Sequence, residues 1–228
     1  MLISELLQHR TMSLVVSLPV NSPEPARAAV EAGAHALKVH LNVAHRASGT
    51  VFGSVAEERD RLVEIGRIAG DRPLGIVPGA DPSTPWSEVA EAAALGFRTI
   101  SMYAHHFPAH WFHIPGVEFM AAADSTYSLA EVQAVGNLPL AILEASVIPP
   151  EGYGQPLTAR DLALYSRIAA AVPVPVVVPS QKCLRPDEVG LLHGAGVRAV
   201  MIGAVVTGTT PDGVFAATEA FRKAVEAI

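Results

Sequence analysis

The sequence predicts an α/β fold, a single-domain (β/α)8 barrel, on three observations. Eight short apolar runs recur along the chain. Most are followed by helix-like sequence, and one boundary pattern repeats in EAGAHALKV, AALGFRTISM and LHGAGVRAVMI: a helix end, a glycine suited to the left-handed C-terminal position, then an apolar strand. No linker, low-complexity run or charge block divides the chain, so residues 1–228 read as one domain with residues 1–12 as an N-terminal helical lead-in.

The strand runs are LVVSL (14–18), ALKVHL (36–41), PLGIV (73–77), RTISMY (98–103), VEFMAA (117–122), PLAILE (139–144), VPVVV (174–178) and RAVMIG (198–203). Near-continuous apolar strands bounded by Gly or Pro suit a parallel sheet, because both of its faces are covered by helices. An open doubly wound sheet uses the same units, but eight strands without a longer central crossover favour closure. The clearest helices are 55–69, 85–95, 158–171, 186–192 and 211–228. Ser54 and Thr158 stand at capping positions, and prolines 85, 186 and 211 sit where a first helical turn lacks an amide partner anyway. After the fourth strand, YAHHFPAHWFHIPG carries prolines 108 and 115, so a short helix or lid is expected there.

Composition narrows the function. The chain is 50% hydrophobic, 17% charged and 6% aromatic, with mean hydropathy +0.33, which excludes disorder as the main state. Its longest apolar runs fall short of the roughly 18 residues of a helical span, so no membrane association is expected. MLISELLQHR has neither a basic region nor a long apolar core, and Cys183 is the sole cysteine, which permits no internal disulfide, zinc-thiolate cluster or CxxC site. A cytoplasmic location is the expectation. Lys plus Arg number 16 against 22 Asp plus Glu, net −6, with no basic block, so no nucleic-acid partner is expected and a small-molecule anionic substrate is. No nicotinamide or flavin fingerprint is present, and no cofactor is expected.

Barrel chemistry lies at the C-terminal ends of the strands. In ALKVHLN, alternation puts Leu37, Val39 and Leu41 toward the outer helices and Lys38, His40 and Asn42 inward. A lysine inside a strand needs a carboxylate, and Glu144, at the end of the sixth run, and Asp124, after the fifth, are the candidates. Such a pair suits proton transfer beside a carbonyl or Schiff-base chemistry; a structural ion pair is the bland alternative. Lys38, Glu144, His40 and Asp124 are therefore the expected catalytic set, with Asn42 and Tyr103 on the substrate. The loop after the second strand, NVAHRASGTVFGS, offers Arg46 to an anion. His106, His110 and His113 have helical spacing, but Pro108 interrupts them and no metal is expected; the aromatic residues around them suit a lid over an apolar ligand portion or a subunit contact, and a homo-oligomer is expected. The loop EASVIPPEGYGQP could close over a ligand or form a rigid excursion.

Within 174–208, PVPVVVPS, a helix ending GAG, and VRAVMIGAVV resemble strand seven, helix seven and strand eight of the phosphate-binding TIM barrels, the ribulose-phosphate-binding type that includes epimerases, sugar-phosphate lyases and prenyltransferases. The resemblance implies an anion held between the last two loops, by Ser180, Lys182, Gly203 and Ala204. One departure stands out: that branch has glycines directly after strand seven, where this chain has Pro179, Ser180, Gln181 and Lys182. The resulting expectation is an enzyme acting on a small phosphorylated or anionic metabolite by proton transfer or carbon–carbon bond chemistry, as an isomerase, epimerase or lyase. The alternatives are a prenyl-phosphate transferase with an apolar tunnel, and a non-catalytic metabolite-binding or scaffold barrel.

Overall fold

A computed structural model describes all 228 residues and shows a closed parallel barrel with strand order β1 to β8 following the chain. The strands are β1 (Ser13–Ser17), β2 (Ala36–His40), β3 (Leu74–Val77), β4 (Phe97–Tyr103), β5 (Glu118–Asp124), β6 (Ile142–Ser146), β7 (Val176–Pro179) and β8 (Ala199–Ile202). The outer helices are α2 (Pro23–Glu31), α3 (Val55–Ala69), α4 (Trp86–Ala94), α5 (Leu129–Gly136), α6 (Ala159–Ala171), α7 (Val189–Gly194), α8 (Ala204–Thr207) and α9 (Pro211–Glu226), preceded by the lead-in α1 (Ile3–His9). The (β/α)8 fold expected from the sequence is thus the fold observed.

The capped helices begin where the sequence places them. Ser54 and Thr158 each accept an amide from the first turn of α3 and α6, and Glu57 and Asp161 return the bond to the cap residue. The apolar outer faces of the strands and the inner faces of the helices form one large core that includes Leu37, Val39, Leu62, Ile65, Leu143 and Phe221. A second cluster fills the bottom of the barrel lumen: Ile3, Leu6 and Leu7 of α1 pack on Val15, Ala36, Met120, Ile142, Val177 and Ala199. The lead-in helix is therefore a plug. Glu118 secures it, accepting Ser4 N at 3.1 Å and the hydroxyls of Ser4 and Thr99.

Alternation along the even-numbered strands builds three tiers inside the barrel. Ala36, Thr99, Ile142 and Ala199 form the lowest; Lys38, Ser101, Glu144 and Met201 the middle; His40, Tyr103, Ser146 and Gly203 the uppermost. Apolar matter thus closes the lower end and polar matter gathers at the C-terminal mouth.

Candidate active site

Lys38 and Glu144 meet across the barrel axis. They rise from β2 and β6, four strands apart in a closed ring of eight, and Lys38 Nζ donates to Glu144 Oε2 at 2.7 Å. Their side chains are only 5% and 8% exposed. Small neighbours make the span possible. Gly75, paired with Lys38 in the sheet, has no Cβ; one built there would lie 3.2 Å from Ile3 Cδ1 and 3.7 Å from Lys38 Cγ, crowding both the plug and the lysine stem. Ala122, beside Glu144 on β5, is equally sparing of space.

Glu144 is held by more than the lysine. Ser101 donates to its Oε2 at 3.0 Å and Ser146 to its Oε1 at 2.8 Å. Burial pushes its carboxyl up, but the Lys38 charge and the hydrogen bonds from Lys38, Ser146 and Ser101 outweigh that and hold it below the usual carboxylate range. It is a carboxylate at neutral pH. The other candidate partner, Asp124, does not reach the lysine: its Oδ1 accepts Thr126 N at 2.8 Å and the Thr126 hydroxyl at 2.6 Å, closing a turn at the rim.

A cavity of about 430 Å³ opens above the pair. His40 lines it, clamped through its backbone by Asn21, whose Nδ2 donates to His40 O at 2.7 Å. The His40 ring lies 4.5 Å from the His45 ring and 5.1 Å from that of Phe52. Burial first, then His45 and Lys38, keeps His40 neutral, and His45 is lowered by burial and by Lys38. Tyr103, Asp124, Arg46, Ser180, Gly203 and Ala204 also line the cavity.

Three of the expected ligand contacts make bonds within the chain. Asn42 is exposed and outside the cavity: β2 ends at His40, and the positive φ of 52° at Asn42 breaks the alternation. Its Nδ2 instead donates to Pro78 O and to Glu88 Oε2, both at 3.0 Å, tying the second loop to the third. Lys182 turns away from the mouth to pair with Asp161 in the first turn of α6 at 3.3 Å. The Gly203 amide, expected to face an anion, donates to Ser180 Oγ at 2.8 Å. Ser180, Gly203 and Ala204 nonetheless line the cavity, on the side where the resemblance places an anion.

Arg46 stands apart. It has no carboxylate partner; its guanidinium lies 5.9 Å above the Tyr153 ring, reaching from the second loop to the sixth. That sixth loop is tied to the residues after β7. Gln181 receives Ile148 N at 3.0 Å and donates to Ser146 O at 3.0 Å and Tyr153 Oη at 2.7 Å, while Gly154 N and Cys183 N bond across to Gln181 O and Gln155 O.

The fourth loop forms two 3₁₀ turns, Ala104–His106 and Ala109–His113, separated at Pro108. His105 and His106 face the mouth, whereas His110 and His113 are exposed elsewhere, and no group of His, Cys, Asp and Glu is gathered to hold a metal ion. Several of the aromatic residues pack on one another and on the barrel. Trp111 is buried against Trp86 and Phe107, and Phe107 and Phe112 pack edge-on to Phe119, because a loop without a helix needs its own small core.

Ser101, Ser146, Tyr153 and Gln181 also line the cavity; the sequence pointed to Gln181 at the rim and to Tyr153 in the sixth loop, but Ser101 and Ser146 were not singled out. The signal for two of them was present: the alternation applied to the second strand, carried into RTISMY and ILEAS, puts Ser101 and Ser146 inward.

No known family profile matches the chain, and no protein of curated function is detectably similar in sequence. Solved structures do match. Thiamine phosphate pyrophosphorylase from Pyrococcus furiosus superposes with TM-score 0.69 at 20% identity, covering 96% of this chain and 97% of that one. Tryptophan synthase from Mycobacterium tuberculosis gives 0.71 at 13% identity, over 98% and 96%. The tryptophan synthase alpha-subunit from Pyrococcus furiosus gives 0.67 at 14%, over 92% and 98%. No helix is long and apolar enough to cross a membrane. At such identities the likeness is one of architecture, and the chain shares with these enzymes a complete (β/α)8 TIM barrel.

Proposed function

We propose that the protein is an enzyme acting on a small anionic carbonyl metabolite, by proton transfer beside the carbonyl or by carbon–carbon bond chemistry of the isomerase, epimerase or lyase kind. The observation that carries this is the Lys38–Glu144 pair, withdrawn from bulk water and facing a cavity at the end of the barrel where such enzymes react. Glu144 as a carboxylate takes a proton from the carbon next to a carbonyl. Lys38 stabilises the oxygen on which charge develops, or passes its own proton to Glu144 and adds to the carbonyl carbon, forming an imine with loss of water.

Arg46 is the cation for the anionic end, since Lys182 is committed to Asp161 and Gly203 to Ser180. That the P. furiosus neighbour is named for a phosphate ester agrees with an anionic substrate. The packing of Phe107, Trp111, Phe112 and Phe119 on one another supports this reading over a prenyl-phosphate transferase, which would need an apolar tunnel.

A panel of candidate substrates tests the proposal. Keto acids and sugar phosphates are incubated in D2O and followed by NMR for exchange at the carbon beside the carbonyl. The intact protein exchanges at least one class of compound, and Lys38→Ala and Glu144→Gln lower the rate on the order of 10²-fold or more. A borohydride-trapped adduct at Lys38 selects the imine route. Neither exchange nor adduct with any compound would leave a non-catalytic binding barrel.

A further inference from the structure

His40 stands two residues beyond Lys38 on the same face of β2, so their Cα atoms are roughly 6.5 Å apart and a substrate group lying against Lys38 has its next atoms level with the imidazole. It is 5% exposed and lines the cavity together with Lys38 and Glu144. The residue is fixed from several sides. Asn21, itself buried, brackets its backbone: Nδ2 donates to His40 O at 2.7 Å, and Oδ1 accepts His40 N at 3.4 Å. The His45 and Phe52 rings pack against the imidazole, and His45 is tied in turn to Ser48 Oγ at 2.9 Å. Yet no group of the chain bonds either ring nitrogen. Nδ1 is sealed in without a partner, which leaves Nε2 as the nitrogen a ligand in the cavity can reach. A buried imidazole held this firmly, with its hydrogen-bonding capacity unused, is a built contact for something that enters from outside.

We propose that His40 is a further catalytic residue and that its Nε2–H donates a hydrogen bond to the carbonyl oxygen of the substrate. This deepens the carbonyl reading above and rests on it. The Glu144 carboxylate takes the proton from the carbon beside the carbonyl, and that C–H electron pair becomes a C=C bond. The carbonyl π pair moves onto oxygen, where the Nε2–H holds the resulting enolate beside the Lys38 charge. Return of a proton from the Glu144 carboxyl to the same carbon reverses the electron movements, and no co-reactant is consumed. On the imine route, addition of the Lys38 amine pair to the carbonyl carbon sends the same π pair onto the same oxygen. One donor therefore serves both routes.

Two further features agree. A donor sealed in without an acceptor is rare in proteins, which places the ring proton on Nε2 and not on Nδ1. Burial foremost, then His45 and Lys38, holds the ring uncharged at neutral pH. An uncharged donor spares the base: a second cation beside Lys38 would weaken Glu144 as a proton acceptor, whereas an N–H dipole stabilises the oxyanion without adding charge.

The D2O exchange reaction tests the inference with His40→Phe, which keeps a ring and removes the donor, and His40→Gln, which keeps an N–H. His40→Phe is expected to lower kcat on the order of 10²-fold with KM little changed, and His40→Gln to regain about tenfold of that loss. Near-UV circular dichroism and melting curves confirm that each variant is folded. A second measurement needs no folded Phe variant: ¹⁵N-histidine NMR of the unaltered protein at pH 7, with the His40 resonances identified by their loss in His40→Gln, is expected to show an uncharged ring protonated at Nε2. A ring proton on Nδ1, or exchange lost in Glu144→Gln but unchanged in His40→Phe, overturns this inference alone. No exchange in the unaltered protein overturns the carbonyl reading and this inference together.

Discussion

Lys38 and Glu144 stabilise the barrel only as a pair. Desolvation of either charge costs several kcal/mol, and the partner's field with two serine hydroxyls offsets it. Lys38→Met should therefore destabilise the protein by about 3–5 kcal/mol by stranding a buried carboxylate, whereas Lys38→Met with Glu144→Gln should recover most of that loss. Urea unfolding of the two variants checks it; equal losses would mean the glutamate finds another partner. His35 supplies a second prediction at this scale. Its Nδ1 accepts Leu14 N at 3.0 Å, and burial foremost, then Arg10 and Arg222, brings its pKa down to about 3. The folded chain leaves His35 neutral where the unfolded chain protonates it near ~6.5. The unfolded state thus binds the extra proton, and stability falls as pH drops from about 6.5 toward 3, by up to ~1.4 kcal/mol per unit. In His35→Asn, whose side-chain oxygen can still accept the Leu14 amide, the urea midpoint should fall less between pH 7 and pH 5 than in the parent protein. Identical slopes would remove His35 as a cause of acid sensitivity.

At the scale of elements, the readable features were those set by near neighbours. The capped helix α3 spans Val55–Ala69, as its Ser54 cap and glycine stop dictate, and α6 begins directly after Thr158. Lys38 and His40 face inward because a strand has period two. The fourth loop was readable only as a helix breaker. Its prolines exclude a regular helix, but that its rings would pack on Phe119 and Trp86 depends on distant segments. Helix α1 was readable as a helix and not as a plug, since nothing local says that Leu7 and Ile3 end inside the lumen. Leu7→Ala is expected to cost about 2–5 kcal/mol in thermal or urea unfolding, through the space it leaves beneath Met120 and Ile142. It should leave anion affinity at the mouth unchanged; a parallel loss of affinity would show that the plug also sets the depth of Lys38.

For the whole molecule, closure decides which inward residues meet. It also sets which groups near the mouth are already bonded: Gly203 N to Ser180 and Lys182 to Asp161, whereas Arg46 over Tyr153 has no acidic partner, and we propose that Arg46 takes the anion. Arg46→Ala should weaken binding of inorganic phosphate or a small carboxylate about tenfold by calorimetry, close to 1.4 kcal/mol, while Lys182→Ala leaves it nearly unchanged. Sulfate-soaked crystals should show the anion beside Arg46, and density at Gly203 instead would return the site to the last two loops. The sequence by itself determined the eight strands, the capped helices, the glycine stops and the inward placement of Lys38, His40 and Glu144. These follow from alternation, capping and backbone freedom, which act over a few residues. Only the tertiary structure decided that Lys38 spans the axis to Glu144 and not Asp124, that Asn42 and Lys182 leave the mouth, and that Ser180 takes the Gly203 amide. Those contacts depend on the tilt and stagger with which eight strands close, which no local stretch of chain encodes.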